Sequence, residues 1–343
     1  MNRKLMNKIG GIPDLLASTI PNFVLRKNTL RREQYIKQLE FYYPKDWPAE
    51  EKPFLYIPKD APVGETIKVK DDSGCKLHII KYPSRYVPRH PHVTKKYESF
   101  QHNKYGYLHL WRHSPQNFHP LVFCIHGFQM GSPARSRRLF KIKKLLSMGV
   151  DVALYTLPFH WKREEKAARH FFLNPNDIPL TLESFAQNIH DLHSAILLLR
   201  EMGCEKVGAI GASLGGYTGA LYATQAAPLD FIFTAVPAID LWDYLKPKSG
   251  GFAFEVDESI IDATRKALQV ISPLHYPPKF DVKNISVVLH GGDRICRPQY
   301  IRSWIEKWGI ENVVEVAGGH WLYLDRRIRG ATWYGLLAAK GYI

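Results

Sequence analysis

Residues 207–219 read Val207-Gly208-Ala209-Ile210-Gly211-Ala212-Ser213-Leu214-Gly215-Gly216-Tyr217-Thr218-Gly219. An apolar strand runs into a serine with glycine two residues before and two after it, and a helix-compatible segment follows. That pattern forces the serine onto a sharp strand-to-helix turn, with its hydroxyl outward and backbone N–H groups free to hold an anion. The glycines have a steric reason: without Cβ atoms, strand, turn and helix can approach closely. Composition alone produces Gly-x-Ser-x-Gly in about one chain in ten of this length. The flanking pattern therefore decides its meaning.

Upstream of that stretch, Leu121–Ile125 is a short continuous apolar run, as expected of a strand buried on both faces. Residues 134–148 read as one helix with Leu139, Ile142 and Leu146 on a face, and Val150–Tyr155 reads as the next strand. Leu182, Phe185, Ile189, Leu192, Ile196 and Leu199 recur at helical spacing until Gly203 stops the pattern. Downstream, Phe231–Val236, Ile285–Leu289 and Val313–Val316 are further strands. Strands alternating with helices predict an α/β fold, a mostly parallel central sheet flanked by helices.

The N-terminal part breaks this alternation. Residues 1–43 are basic and include an amphipathic helix around Leu30–Phe41; Pro44, Pro48, Pro53, Pro58 and Pro62 then mark an extended connector. Ile67 and Val69, the Asp72-Ser73-Gly74 turn and Leu77–Ile80 form a hairpin signal. Residues 84–104 are polar and read as a loop, and Tyr107–Trp111 as a strand. The division expected is a basic extension and connector over 1–62 and an α/β domain over 63–343. Residues 241–280 interrupt that domain with a helical stretch in which Ile261, Leu268 and Ile271 share a face.

The chain is 45% hydrophobic and 23% charged, which excludes a disordered polypeptide. Apolar runs all fall short of the roughly 18–20 residues of a membrane span, so no transmembrane segment is expected. Lys8, Gly10, Gly11, Pro13 and Asp14 interrupt any signal-peptide core after the charged start. Four widely spaced cysteines, Cys75, Cys124, Cys204 and Cys296, predict reduced thiols and a cytoplasmic location. Lys and Arg number 47 against 32 Asp and Glu, a net +15. The expectation is a solvated basic surface with weak attraction to anionic surfaces and no specific nucleic-acid partner.

A serine hydroxyl attacks only when a base takes its proton, and an acid must hold that base in the right tautomer. Asp293, in His290-Gly291-Gly292-Asp293, follows the Ile285–Leu289 strand. His320, in Ala317-Gly318-Gly319-His320, follows the Val313–Val316 strand. All three residues thus fall at carboxyl ends of parallel strands, where open α/β sheets bind ligands. The oxyanion donors expected are the backbone N–H of Leu214, just after the serine, and of Phe128 in His126-Gly127-Phe128-Gln129. Asp240, after the Phe231–Val236 strand, is the alternative acid. The 15 histidines show no metal-ligand spacing, so no metal is expected.

These four motifs, in this order, resemble the α/β-hydrolase superfamily over roughly residues 63–343. The segment Leu157-Pro158-Phe159-His160-Trp161-Lys162-Arg163 also resembles a stretch found in some of its members. The resemblance implies a serine hydrolase that cleaves small-molecule carboxylic esters, thioesters or amides through an acyl-serine, with no cofactor. It implies Ser213 as nucleophile, His320 as base, Asp293 as acid, and a small helical lid at about 241–280 with Trp242, Tyr244, Phe252 and Phe254 beneath it. His160 and Gln129 are candidate substrate contacts, while His126 and His290 are expected to be structural. The chain departs from the pattern at the acid, where one residue separates Gly291 from Asp293 and Arg294-Ile295-Cys296-Arg297-Pro298 follows. Two other readings stay open: an acyltransferase on the same fold, and a catalytically silent protein binding anionic lipid or nucleic acid through its basic surface.

Overall fold

Continuous apolar runs become the middle of the sheet in the computed structural model, which describes residues 3–14, 26–43, 53–165, 171–225, 227–322 and 326–343. The strands are β1 (Glu65–Asp72), β2 (Cys75–Pro83), β3 (Tyr105–Arg112), β4 (Leu121–Ile125), β5 (Asp151–Tyr155), β6 (Val207–Ala212), β7 (Ile232–Ala235), β8 (Ile285–His290) and β9 (Asn312–Val316). They form one nine-stranded sheet in the order β1-β2-β3-β5-β4-β6-β7-β8-β9. The block from β5 to β9 is parallel, and β1, β2 and β3 join antiparallel at one edge. Every residue of β4 to β8 is buried, as the covering of both faces requires. Edge strand β1 is exposed and carries Lys68 and Lys70, charges that discourage pairing with another chain.

Alternation along each strand divides the core. Leu121, Phe123 and Ile125 enter one apolar cluster while Val122 and Cys124 enter the other, across the sheet. The helices are α1 (Arg3–Gly10), α2 (Arg32–Glu40), α3 (Pro91–Ser99), α4 (Pro133–Leu139), α5 (Ile142–Ser147), α6 (Ile178–Glu201), α7 (Leu214–Tyr222), α8 (Trp242–Leu245), α9 (Glu258–Leu268), α10 (Pro298–Trp308) and α11 (Arg326–Ala339). Helix α6 is buried along most of its length, so its polar residues meet partners inside the protein. Glu183 accepts hydrogen bonds from the Tyr42 and Tyr86 hydroxyls and from the N–H groups of Arg89 and His90.

Three stretches differ from the sequence pattern. The single helix expected over 134–148 is two, separated by Lys141 in the left-handed region at φ 50°. On a continuous helix Phe140 and Ile142 would point to opposite sides; the break lets both bury in one cluster. The polar stretch 84–104 is not all loop, because α3 forms there. Pro91 begins the helix, His90 Nδ1 accepts the His92 N–H at 3.3 Å, and Val93 is buried. In the insertion, Phe252 and Phe254 pack on Tyr35 of α2 with ring centroids 5.1 and 5.7 Å apart. Of the proline-rich connector, Pro44 and Pro48 lie outside the described residues.

Behind the sheet, the loop after β5 is tied to α6 by a fully buried ion pair, Arg163 to Asp191 at 2.5 Å. Arg163 also donates to the carbonyls of Thr156 and Asn103, and Asp191 accepts from Ser84 at 2.7 Å. Removing one partner strands an uncompensated buried charge. Asp191→Ala is expected to lower unfolding stability by about 3–5 kcal/mol, measured from urea midpoints; a loss under about 1 kcal/mol would mean that water reaches the pair.

Candidate active site

Ser213 occupies the turn between β6 and α7 with φ 54° and ψ −115°, a conformation rare for a residue with a side chain. Its N–H donates to the Ala235 carbonyl at 2.9 Å, and its own carbonyl accepts from Tyr217 and Ala238. The flanking glycines are sterically required. A Cβ on Gly211 would lie 2.1 Å from the Gly215 carbonyl oxygen, and one on Gly215 would lie 2.0 Å from that of Ile125. The serine is therefore held at the end of β6 by close backbone packing on both sides.

The loops after β8 and β9 bring an acid and an imidazole to this turn. Asp293 is buried; its Oδ1 accepts the N–H groups of Ile295 and Cys296 at 2.8 and 2.7 Å. Its Oδ2 lies 2.8 Å from His320 Nδ1. The two loops are joined by Gly292 N–H to the Gly318 carbonyl at 2.8 Å, and His290 Nδ1 lies 2.8 Å from the Gly319 carbonyl oxygen. Asp240 takes no part in this bond: its carboxylate accepts the Trp242 N–H at 2.7 Å. Of the two candidate acids, Asp293 is the one at the histidine.

Between serine and histidine lies a residue that the sequence reading did not select. Cys296 Sγ is 3.6 Å from Ser213 Oγ, and it lies within 4.8 Å of both the His320 imidazole and the Asp293 carboxylate. The signal for it was its spacing. Asp293 Oδ1 draws in the N–H groups two and three residues on, and this folds Cys296 back over the carboxylate. Burial pulls the His320 imidazole down, but the Cys296 sulfur and the Asp293 hydrogen bond outweigh it and hold the group well above its ordinary value of 6.5. Burial pushes the Cys296 thiol up, against the pull of His320. All four cysteines are free and buried.

The turn after β4 lies against the serine, since a Cβ on Gly127 would stand 3.5 Å from Ser213 Cβ. Met130 N–H closes this turn on the Gly127 carbonyl, with Gln129 at φ 59°. The Phe128 ring meets His160 edge-on at 5.8 Å, and His160 in turn meets His126 at 5.1 Å and Phe172 at 5.6 Å. His126 accepts the Leu157 N–H on Nε2 at 3.2 Å. Burial first, then neighbouring His160, holds His126 well below the ordinary histidine value. That neutral ring ties the β4 and β5 loops together. Leu214 opens α7, so its N–H is one of the helix donors without an intrahelical acceptor.

Among the described residues, two trios place metal-type donors within 4.8 Å of one another: Asp293, Cys296 and His320, and, separately, His113, His119 and Asp151. In the second, His113 Nδ1 lies 2.9 Å from Asp151 Oδ1, and Asp151 also accepts two backbone N–H groups, so these donors hold the β3–β4 connection.

No family model matches the chain. Two uncharacterized proteins from two strains of Mycobacterium tuberculosis are each 27% identical over 297 residues, 84% of this chain and 70% of theirs. Among solved structures, acetyl xylan esterase 1 from Thermoanaerobacterium sp. JW/SL YS485 superposes with a TM-score of 0.56 at 12% identity, covering 98% of each chain. A cold-adapted esterase from an Arctic intertidal metagenomic library gives 0.50 at 11% identity, covering 81% of this chain and 98% of that one. The chain has the α/β-hydrolase fold.

Within the α/β-hydrolase fold the close packing around Ser213 has a measurable consequence. In Gly215→Ala the added methyl meets a backbone carbonyl that cannot step aside, whereas in Gly219→Ala it meets the Ile232 side chain at 3.2 Å. Gly215→Ala is expected to cost about 1–3 kcal/mol or more by overpacking. Gly219→Ala should cost less, as a helical Gly-to-Ala change offsets part of the crowding. Thermal melts of the two variants compare them directly, and equal midpoints would contradict the packing argument.

Proposed function

We propose that this protein is a serine hydrolase of small-molecule carboxylic esters. The observation that carries the reading is a strained serine and an aspartate-bound imidazole on either side of one buried sulfur, 3.6 Å from the serine Oγ and within 4.8 Å of the imidazole. The named esterases among the structural neighbours support the ester class. Ser213 Oγ attacks the acyl carbon while His320 takes its proton. The imidazole then returns that proton to the leaving alkoxide, and water repeats the cycle to free the acid. With Nδ1–H donating to Asp293, Nε2 is left as the base. The N–H groups of Leu214 and Phe128 are the donors proposed for the oxyanion. Residues 241–280 are read as a lid, a reading supported by Tyr244 donating to the Ile295 carbonyl at 2.8 Å and by the Arg297–Asp243 pair at 3.2 Å.

One observation favours a second reading of the attacking atom: Cys296 Sγ lies 3.6 Å from Ser213 Oγ and within 4.8 Å of the His320 imidazole. In that reading the thiol is acylated in place of the serine. A fluorophosphonate probe and a p-nitrophenyl ester separate the two. Ser213 as nucleophile requires that Ser213→Ala abolish labelling and reduce kcat/KM about 10⁴-fold or more, with the acyl group mapping to the peptide bearing residue 213. Label that persists in Ser213→Ala and moves to the peptide bearing Cys296 would overturn it. Asp293→Asn should cost about 10⁴-fold in kcat, and Asp240→Asn should leave it nearly unchanged.

The raised imidazole sets the pH dependence. The base must be unprotonated, so kcat/KM should rise with pH along a limb centred above 6.5. Cys296→Ala removes one of the groups that raise His320 and should move that limb to lower pH. A limb that stays in place in this variant would show that the sulfur does not act on the imidazole.

A further inference from the structure

The N-terminal segment reaches the loops that carry Asp293 and His320. Asp14 is fully buried, and its two carboxylate oxygens are shared between them. Oδ2 accepts the N–H of Arg294 at 3.1 Å and of His320 at 2.8 Å, and Oδ1 accepts the N–H of Trp321 at 3.3 Å. Those donors are the residue after the proposed acid, the proposed base itself, and the residue after that base. Asn7, in α1, accepts the Gly318 N–H on Oδ1 at 2.9 Å. Backbone meets backbone at glycine: a Cβ on Gly319 would lie 1.9 Å from the Gly10 carbonyl oxygen, and one on Gly292 would lie 2.3 Å from that of Asn7. Space for a side chain is absent on either side of this contact, so α1 and the loops fit in one relative position.

The hydrogen bond between Asp293 and His320 spans two loops that leave separate strands. Its 2.8 Å length requires that the loops keep their spacing. A carboxylate is suited to fix it, because it has two acceptor oxygens on a planar group and no donor, and the groups facing it are all N–H donors. We propose that residues 3–14 are part of the hydrolytic site, with Asp14 as a positioning residue that sets His320 against Asp293. The proposal rests on the reading of Asp293 and His320 as acid and base. Asp14 does not touch the substrate; it acts through the backbone of the base.

A residue that only stabilised the fold would lower activity in step with the folded fraction. A positioning residue lowers kcat in protein that stays folded, with KM little changed, and is partly replaced by a side chain that keeps one acceptor. The test uses the full-length chain as Asp14→Ala and Asp14→Asn, with kcat and KM on a p-nitrophenyl ester, circular dichroism, and backbone hydrogen exchange by mass spectrometry. Asp14→Ala should lose 10–100-fold in kcat with KM within about threefold. Asp14→Asn, which keeps one acceptor oxygen, should recover at least part of that loss. Exchange should rise in both peptides 291–297 and 317–322 of the variants, with 207–222 unchanged. A kcat within twofold of the parent, a loss matched by the unfolded fraction, or unchanged exchange in either loop peptide would overturn the proposal. Should Asp14→Ala fail to fold, exchange in Asp14→Asn decides the matter. The exchange result does not depend on hydrolysis: a parent protein that neither labels with fluorophosphonate nor cleaves esters defeats the hydrolase reading, while the loop peptides still report on the clamp.

Discussion

The absence of a Cβ at Gly215, against the Ile125 carbonyl oxygen, is the constraint on which the rest of the architecture depends. β4 and β6 are neighbours in the sheet, and α7 must leave β6 at once to lie back across it. Any side chain at 215 would push the start of α7 off the end of β4, and any at 211 would push it off β6. Because both approaches are closed to larger residues, the intervening residue absorbs the bend in its own backbone and takes φ 54°. The strain at Ser213 is thus a consequence of helix-on-sheet packing. That packing is stabilised by apolar burial along β4, β6 and α7. A side chain held this way cannot swing with a flexible loop, so its direction is set before any ligand arrives.

Local chemistry made most of this legible in the sequence. The parallel strands could be read because a strand covered on both faces needs an unbroken apolar run, which Leu121–Ile125 and Ile285–Leu289 supply. The serine turn could be read because its glycines answer a steric need within five residues. Asp293 and Asp240 were both admissible from order alone, and only the path of the chain separates them: one carboxylate turns to His320, the other to the Trp242 N–H. Helix α3 was illegible for the opposite reason. Its sequence has no apolar period, and it is held by the burial of Val93 and by the N–H groups of Arg89 and His90 on Glu183, more than 80 residues away. The split at Lys141 likewise follows from where Phe140 and Ile142 can be buried, which a helical wheel does not contain.

Cys296 shows how a small local motif changes the electrostatics of a whole site. The Asp293 carboxylate does two things at once: Oδ2 meets the imidazole, and Oδ1 gathers the N–H groups that bring the sulfur over it. Carboxylate, sulfur and imidazole therefore share one buried volume, in which each group changes the protonation of its neighbours more than it would in water. Burial alone would leave His320 easier to deprotonate, and its two neighbours reverse that. The shortened loop that carries Asp293, which in sequence reads as a departure, is in three dimensions the means by which a third titratable group enters.

Asp14 carries the same logic over a far longer separation in the chain. It lies 306 residues from His320, so nothing within a local window of sequence could connect the two. The need for it is nonetheless physical. Loops that leave the ends of β8 and β9 turn N–H groups into the space above the sheet, and buried N–H groups must find acceptors. Within the two loops, Gly292 reaches the Gly318 carbonyl, but the N–H groups of Arg294, His320 and Trp321 are left over. A single carboxylate arriving from outside the sheet satisfies all three, and in doing so makes the spacing of the loops depend on where the first residues of the chain are docked. The N-terminal segment and the spacing between Asp293 and His320 are then one structural unit, closed by the hydrogen bonds of Asp14 and Asn7.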